Sequence, residues 1–226
     1  MWPRSAAELV ELQRALAEAE PPPWRPSAEP AFLAVGAVAI CFPAGVSGPG
    51  VRGDRAWAAA VIMRGRRTVA QATVVGAAGA PYEAGLLALR EGPLLEAAVR
   101  ALHEAADVVL VDATGRDHPR RAGLALHLGA VLDLPTVGVT HRPLFAAGEW
   151  PADPKGKSAP LVLEGEQVGA WVRRREGVRP VAAHQAWRTD VDMAVAVVSR
   201  VAGSHRTPEP LRQARRLARL ARVKGP

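Results

Sequence analysis

Residues 107–140 contain the pattern that most restricts the fold, because two short apolar strand segments are separated by a helical one. "DVVLVD" (107–112) and "PTVGVT" (135–140) are rich in β-branched residues and are typical of parallel strands buried on both faces. "RAGLALHLGAVLDL" (121–134) between them is predicted as a helix. This order indicates a crossover that brings the second strand beside the first. A further helix is predicted over 91–105, with Pro93 in its first turn.

Three earlier segments predict consecutive strands joined by short turns. They are "AFLAVGAVAICF" (31–42), "RAWAAAVIM" (55–63) and "RTVAQATVV" (67–75). A hairpin (159–175), a strand (179–187), a helix (190–202) and a basic terminal helix (208–223) are predicted near the end of the chain. The expected fold class is therefore α/β, with a mixed sheet that combines an antiparallel three-strand meander with parallel strands and is flanked by helices.

The length and composition favour one domain over residues 1–226. The chain is 49% hydrophobic and 23% charged, which suits one sizeable core. Residues 1–29 are predicted to form an N-terminal amphipathic helix and a proline-rich linker that ends near Pro30. Residues 204–226 are predicted to contain the basic C-terminal helix.

The charge balance favours an acidic partner such as nucleic acid. The chain has 29 Lys and Arg against 22 Asp and Glu, a formal charge of +7. The single cysteine, Cys41, excludes an intramolecular disulfide and a cysteine zinc cluster. Neither a signal peptide nor an apolar run of membrane-spanning length is recognised, so a cytoplasmic protein with no membrane partner is expected.

Two carboxylates are candidates for a catalytic centre. Asp112 ends its predicted strand, where ligands bind in sheets of this kind, and Glu91 lies just ahead of the helix that leads into that strand. Two neighbouring acids are stabilised by a shared hard cation such as Mg²⁺, and metal-assisted phosphodiester hydrolysis joins such acids to a basic surface. Alternatively, Asp112 caps the following loop and Glu91 contributes to a helix N-terminus.

The loop after Asp112 adds an imidazole and several cations. His118 could orient a water or protonate a leaving oxygen if its pKa is near neutrality, or it could be a surface or capping histidine. Arg116, Arg120 and Arg121 could bind phosphate oxygens beside a metal site, or they could be solvated charges.

Three segments of the chain resemble one known family. "PYEAGLLALRE" (81–91), "VLVDATGRDHPRRAGLALHLGAVLDLPTVGV" (109–139) and "HRTPEPLRQA" (205–214) are similar to segments of the endonuclease V family. These are metal-dependent nucleases that recognise deaminated bases, chiefly inosine, and share a ribonuclease H-like fold. The resemblance implies that this chain is a monomeric endonuclease that acts near deaminated bases in DNA or RNA, with Mg²⁺ or Mn²⁺ as cofactor.

The resemblance also implies roles for individual residues. Glu91 and Asp112 match metal-binding carboxylates, and His118 matches a histidine near the scissile phosphate. Tyr82 matches a wedge that opens the base step, although a lone tyrosine could equally be packed in the core. The other residues expected to bind nucleic acid are Pro81, Gly85, Gly115, Arg120, Arg121 and Arg188.

The sequence departs from the family at several expected site positions. Val38 stands where the first strand carries an aspartate, His141 stands where a lysine is expected, and Trp187 replaces a histidine. Ala113 replaces a glycine, which narrows the approach of the backbone to the base pocket. The residues considered as substitutes for the missing ligand are Asp54, Asp117, His184, Asp190 and Asp192.

Two functional hypotheses follow from these departures. The first is a nuclease weakened by the loss of one carboxylate, because two carboxylates hold Mg²⁺ less well than three. The second is a non-catalytic homologue that binds nucleic acid and whose basic C-terminal helix contacts the phosphates along the strand. That helix could instead be a solvated face that packs through its leucines. The residues concerned are Arg212, Arg215, Arg216, Arg219, Arg222 and Lys224 for the phosphates and Leu211, Leu217 and Leu220 for the packing.

Overall fold

A computed structural model describes residues 2–26, 33–45 and 47–224 of this chain. The helices are α1 (Ala6–Glu18), α2 (Leu87–Arg100), α3 (Leu124–Leu132), α4 (Val191–Arg200) and α5 (Glu209–Lys224). The strands are β1 (Ala34–Cys41), β2 (Arg55–Arg64), β3 (Arg67–Ala77), β4 (Val108–Val111), β5 (Thr136–Thr140), β6 (Ser158–Leu163), β7 (Glu166–Val172) and β8 (Val181–Gln185). The predicted end of the linker, near Pro30, lies outside the described residues.

All eight strands belong to one mixed sheet in the order β3-β2-β1-β4-β5-β8-β7-β6. Strands β1, β2 and β3 form the predicted antiparallel meander, and β4 and β5 continue the sheet parallel to β1. β8 returns antiparallel to β5 and pairs with the β6–β7 hairpin. The expected mixed α/β sheet is therefore confirmed.

Helices cover both faces of the sheet. On one face, Leu9 of α1, Leu95 of α2 and Leu124 of α3 pack with Val38 and Val111 of the central strands. On the other face, α4 and α5 pack on the alternate residues of the same strands, including Val35 and Leu110. Because both faces are buried, the central strands are apolar throughout, as their sequences predicted. None of the described helices combines the length and the apolarity of a membrane span.

Helix α2 begins earlier than its sequence predicted. It begins at Leu87, so Glu91 is a helical residue and Pro93 lies inside the helix instead of in its first turn. A proline removes one N–H from a helix and therefore favours a start close to itself. Here the turn before Pro93 is held by a tertiary contact, because the Gly79 N–H donates to the Arg90 carbonyl at 3.1 Å.

Candidate functional site

Asp112 lies at the carboxyl end of the central strand β4, as predicted. Its side chain is 37% exposed. The preceding residue, Val111, is paired in parallel register with Val38 of β1, and Val38 has no exposed surface. The position that is expected to supply another carboxylate is therefore filled by a buried hydrocarbon side chain beside the strand end that carries Asp112.

Glu91 of α2 shares the environment of Asp112. Burial and the negative charge of Asp112 together raise the pKa of Glu91 to about 8, against the opposing effect of the nearby Arg90. Mutual repulsion of this kind requires the two carboxyl groups to be near each other. Asp112 is thus close enough for its charge to act on Glu91, and a pKa of about 8 favours the protonated form of Glu91 at neutral pH.

Arg215 of α5 is the cation that pairs with Asp112. Its Nε donates to Oδ2 of Asp112 at 2.7 Å, and its Nη2 donates to Oδ1 at 2.6 Å. The arginine side chain is 25% exposed. Planar, bidentate arginine–carboxylate pairs are among the strongest charge-assisted hydrogen bonds in proteins.

The residues around Asp112 do not form a ligand set for a divalent cation as they stand. Within residues 2–26, 33–45 and 47–224, no three His, Cys, Asp or Glu side chains cluster in a way that could hold a metal. Both carboxylate oxygens of Asp112 accept from Arg215, and Val38 offers no oxygen. The arrangement therefore lacks the several oxygen ligands that Mg²⁺ requires.

None of the acids considered as substitutes reaches this centre. Asp54 accepts from the Val51 N–H and pairs with Arg90, and Asp190 caps α4 by accepting from the Met193 N–H at 2.7 Å. Asp192 lies in the first turn of α4. These acids have local structural roles.

Asp117 and His184 also form hydrogen bonds with groups outside this centre. The carboxylate of Asp117 is fully buried and accepts three backbone N–H bonds, from Leu144, Phe145 and Ala146, at 2.6–2.8 Å. The imidazole of His184 is fully buried and its Nε2 lies 2.8 Å from the Thr140 hydroxyl. Asp117 therefore fixes the loop that follows β5, and His184 lies beneath that loop.

A cavity of about 320 Å³ opens between Tyr82 and Asp112. Its volume is within the range of small-molecule sites. Apolar side chains supply much of the wall, and the polar residues that line it include Gln13, Asp112, Thr114 and His118. The lining includes Leu87, Ala88, Leu124 and Leu144.

Tyr82 stands at the mouth of this cavity with 52% of its surface exposed, so it is not the core residue that a lone tyrosine could have been. Its own loop, with Pro81, is exposed. The loop is attached at two points. The Tyr82 N–H donates to the Pro49 carbonyl at 2.7 Å, and Gly85 is buried with a φ of +81°.

The Gly85 carbonyl is the main anchor of this loop. It accepts from Gln13 Nε2 at 3.0 Å, from His118 Nε2 at 3.1 Å and from Arg120 Nη2 at 2.9 Å. Arg120 also donates from Nε to Gln13 at 2.6 Å. Helix α1 and the loop after Asp112 thereby hold the Tyr82 loop in one position.

His118 lines the cavity, but both of its ring nitrogens bond to protein groups. Nδ1 accepts from the Arg120 N–H at 3.2 Å, so Nε2 carries the proton that is donated to Gly85. Burial lowers the pKa of His118 to about 4. The premise of a pKa near neutrality was therefore wrong, and His118 is a neutral imidazole that positions the Tyr82 loop.

The arginines of the loop after Asp112 bond mainly to the protein. Arg116 donates to the carbonyls of Ala17 and Ala19 at the C-terminal end of α1, and Arg121 pairs with Glu164 and Glu166 at the β6–β7 turn. These contacts fix the neighbouring elements. They leave fewer guanidinium N–H donors for phosphate oxygens than the sequence suggested.

Gly115 and Arg188 lie away from the Tyr82 cavity. A Cβ at Gly115 would come within 2.0 Å of the Gln185 carbonyl oxygen, so glycine is required there for close packing on β8. Arg188 lines a separate depression beside the residues that follow α1. Its Nη1 lies 3.6 Å from Oδ1 of Asp133.

The two remaining departures from the family pattern have structural partners. His141 Nε2 lies 2.8 Å from the Thr207 hydroxyl, and burial with the charges of Arg206 and Arg215 lowers its pKa, so the imidazole is neutral. Trp187 packs against the core on the side of α1–α3. Neither residue replaces the charge of the lysine or the imidazole expected from the resemblance.

The role of Arg215 was missed in the sequence, where it was one of six cations on the terminal helix. Its partner is 103 residues away, and neither helical spacing nor local charge pattern identifies such a pair. Thr140 and Leu144, which also line the cavity, were missed for the same reason.

Comparison with known proteins identifies the family. The family model described as Endonuclease V matches residues 35–216. The endonuclease V of Methanopyrus kandleri is 40% identical over 178 residues, which cover 77% of each chain, and that of Streptomyces avermitilis is 41% identical over 166 residues, which cover 73% of this chain and 72% of the relative.

Solved structures agree with this assignment. A crystal structure of the Streptomyces avermitilis endonuclease V matches with a TM-score of 0.85 at 34% identity and covers 99% of this chain and 95% of its own. The catalytic domain of human endonuclease V matches with a TM-score of 0.82 at 30% identity and covers 98% of each chain. The architecture inferred from the sequence is the architecture of these neighbours, and this chain belongs to the endonuclease V family.

Proposed function

We propose that this protein recognises a deaminated base, chiefly inosine, in a DNA or RNA strand, and that it is an endonuclease V-type nuclease with much weakened phosphodiester hydrolysis. The observation that carries the proposal is the cavity between Tyr82 and Asp112, which is large enough to receive a base and has the candidate catalytic acid Asp112 in its wall. The protein is expected to act as a monomer.

The cavity suits a base that has left its stack. Extraction of a base costs a few kcal/mol of stacking free energy, and a planar side chain that fills the gap lowers that cost. Tyr82 is exposed and its loop is fixed through Gly85, so its ring is available without prior rearrangement. A preorganised stacking residue loses little conformational entropy when it binds.

A relative with the same fold supports the choice of ligand. The endonuclease V of Ciona intestinalis, 20% identical with a TM-score of 0.79, has been crystallised in complex with a 24mer DNA containing an inosine followed by a ribo-adenosine. At that identity the likeness concerns the fold, and the cavity beside Tyr82 is the reason for extending the ligand to this chain.

Hydrolysis is proposed to be weak for three reasons. Val38 supplies no carboxylate, Arg215 engages both oxygens of Asp112, and His118 is neutral and donates its proton to Gly85. If the strand is cleaved, Glu91 and Asp112 are the residues proposed to bind the cofactor. Magnesium is the proposed cofactor, with manganese as a substitute. Either ion is expected to bind weakly, because the described part of the chain assembles no group of three His, Cys, Asp or Glu side chains that could hold a metal.

The second candidate is binding without cleavage. The ion pair between Asp112 and Arg215 favours it, because this pair neutralises the carboxylate on which a divalent ion would depend. Under this hypothesis the family's fold and base pocket serve recognition only.

Two measurements on the purified full chain test the proposal. Fluorescence anisotropy compares binding of a strand with one inosine with binding of the same strand with guanosine, as DNA and as RNA. We expect tighter binding of the inosine strand, and loss of that preference in Tyr82→Ala. Equal affinity for both strands would contradict the proposal.

A gel assay then separates the two candidates. The inosine strand is incubated with Mg²⁺ or Mn²⁺, with Glu91→Ala and Asp112→Ala variants as controls for a contaminating nuclease. Slow cutting that both substitutions abolish supports the weakened nuclease. Selective binding without cutting in either metal supports the binding protein, and rapid cutting with Mg²⁺ would show that the loss at Val38 has little consequence.

A further inference from the structure

The pair formed by Asp112 and Arg215 connects two depressions of the surface. Asp112 lines the Tyr82 cavity, and Arg215 lines an adjoining groove of about 440 Å³. The other residues that line this groove include Arg206, Arg212, Arg216 and Arg219. A strand whose base enters the cavity would therefore have a cationic surface beside its backbone at the position of Arg215.

Arg215 retains donors for a ligand. A guanidinium carries five N–H bonds, and the two atoms that contact Asp112 use two of them. In the part of the chain that the structure describes, Asp112 is the hydrogen-bond partner of the Arg215 side chain, which leaves the Nη1 edge for another acceptor. The fork geometry of arginine matches phosphate oxygens as well as carboxylates.

The charge of the cleft depends on this one side chain. Without a cation, the carboxylate of Asp112 would repel a phosphodiester, and the neighbouring His141 is neutral and cannot compensate. Arg215 neutralises Asp112 through two hydrogen bonds and is itself permanently charged. It therefore removes the repulsion at this point of the cleft without any bound metal.

We propose that Arg215 is a built-in cation of this cleft that holds the phosphodiester next to the extracted base, so that strand binding requires no divalent metal. This inference rests on the proposed recognition of a deaminated base. It adds that the same arginine competes with a divalent ion for Asp112, because the ion could bind only after both hydrogen bonds to Arg215 were broken.

The first test measures affinity for the inosine strand in EDTA and in Mn²⁺. For the wild type we expect similar affinity in both buffers. Arg215→Met should weaken binding about 10- to 100-fold in EDTA, the effect of losing a charge-assisted hydrogen bond, and Mn²⁺ should restore part of it. Arg215→Lys, which retains the charge but lacks the fork, should give an intermediate loss.

Two variants with the same change of charge serve as controls. Arg216→Met, on the same groove, should weaken binding by a similar factor in EDTA and in Mn²⁺, because it does not contact Asp112. Arg14→Met, on the exposed surface of α1, should leave the affinity unchanged. Thermal melting confirms that each variant is folded before its affinity is interpreted.

The second test uses the metal alone. Titration of the free protein with Mn²⁺, followed by electron paramagnetic resonance, should show binding at least about tenfold tighter in Arg215→Met than in the wild type, because Asp112 is released. Equal Mn²⁺ affinity in the two proteins would overturn the competition.

The outcomes separate this inference from the proposed function. If the wild type prefers the inosine strand in Mn²⁺ but does not bind it in EDTA, the proposed recognition of inosine is supported and the proposed role of Arg215 is wrong. If the wild type shows no preference for inosine in either buffer, the proposed function fails. A loss of affinity for both strands in Arg215→Met, measured in EDTA, would still support the phosphate contact. A wild type that binds no strand at all would overturn both.

Discussion

Val38 and Val111 lie opposite each other in the parallel pair formed by β1 and β4, directly before the turn that presents Asp112. This register determines what can surround the carboxylate. The β1 residue paired with Val111 is a branched hydrocarbon, and the only cation in contact with Asp112 among the described residues is Arg215 from α5. The charge at the end of β4 is thus balanced by a side chain from the last helix.

A double substitution should create a metal site at this position. We expect Mn²⁺ to raise the melting temperature of Val38→Asp/Arg215→Met by several degrees while leaving the wild type almost unchanged, because a carboxylate is added and Asp112 is released. Melting curves in EDTA and in Mn²⁺ measure the difference. Val38→Asp alone should cost about 2–4 kcal/mol of unfolding free energy, because the site is fully buried.

Val35→Asp/Arg215→Met is the matched control for this site. Val35 is on the same strand but packs in the core on the side of α4 and α5. This variant should be destabilised and should gain no more stability from Mn²⁺ than Arg215→Met alone, clearly less than Val38→Asp/Arg215→Met. An equal response of both double variants would indicate that the ion binds elsewhere.

Tyr82→Ala should weaken binding of an inosine strand while leaving the protein equally stable. The loss should be about 1–3 kcal/mol of binding free energy, the size of one aromatic–base stack, and stability should be preserved because the side chain is half exposed. Anisotropy and urea unfolding measure the two quantities. Trp150→Ala removes another exposed aromatic that does not line the Tyr82 cavity, and a similar loss of affinity in that variant would argue against a specific wedge.

Gly85→Ala should weaken both the fold and the binding of the strand. The residue has a φ of +81°, and an added Cβ would lie 3.2 Å from Nη2 of Arg120, one of the donors to its carbonyl. We expect a loss of about 1–3 kcal/mol of unfolding free energy and a lower affinity. Gly156→Ala, with a φ of +90° in open space, isolates the backbone cost and should leave the affinity unchanged.

Acid should destabilise the protein through its buried histidines. Burial lowers the pKa of His127, which is stacked on Trp2, to about 4, whereas the unfolded value is near 6.5. Between these values the unfolded chain binds the proton more tightly, so stability falls as the pH falls from about 6.5 to 4 and is independent of this group above 6.5. The full loss is about 3 to 3.5 kcal/mol.

Urea unfolding at several pH values measures this dependence. His127→Phe should flatten the profile, whereas His103→Gln, at an exposed position, should not. Burial also lowers the pKa values of His118 and His184, so part of the acid sensitivity should persist in His127→Phe. An unchanged profile in His127→Phe would contradict the assignment.

Much of the fold could be predicted because its signals are local. The apolar runs of β1, β4 and β5 have the composition of strands buried on both faces, and Asp112 marks the end of one of them. The start of α2 could not be predicted, because the turn before Pro93 depends on a hydrogen bond from Gly79.

The candidate site was predicted only in part for a similar reason. The electrostatic interaction of Glu91 with Asp112 follows from the order of helix and strand, but the partners of His118 are the Gly85 carbonyl of the Tyr82 loop and the Arg120 N–H. A loop rich in arginine has the same sequence whether its cations bind phosphate or carbonyl groups of the protein. In this chain, Arg116 and Arg120 bond to carbonyl groups.

The pairing of Asp112 with Arg215 also bears on how the chain is made. Asp112 is synthesised 103 residues before Arg215, so the centre of the sheet leaves the ribosome with an acid that has no counterion. A nascent chain stalled before α5 would present the unpaired carboxylate of Asp112 to the ions of its surroundings. The cleft acquires its own positive charge only when α5 docks, which makes the docking of this helix the step that sets the electrostatic character of its surface.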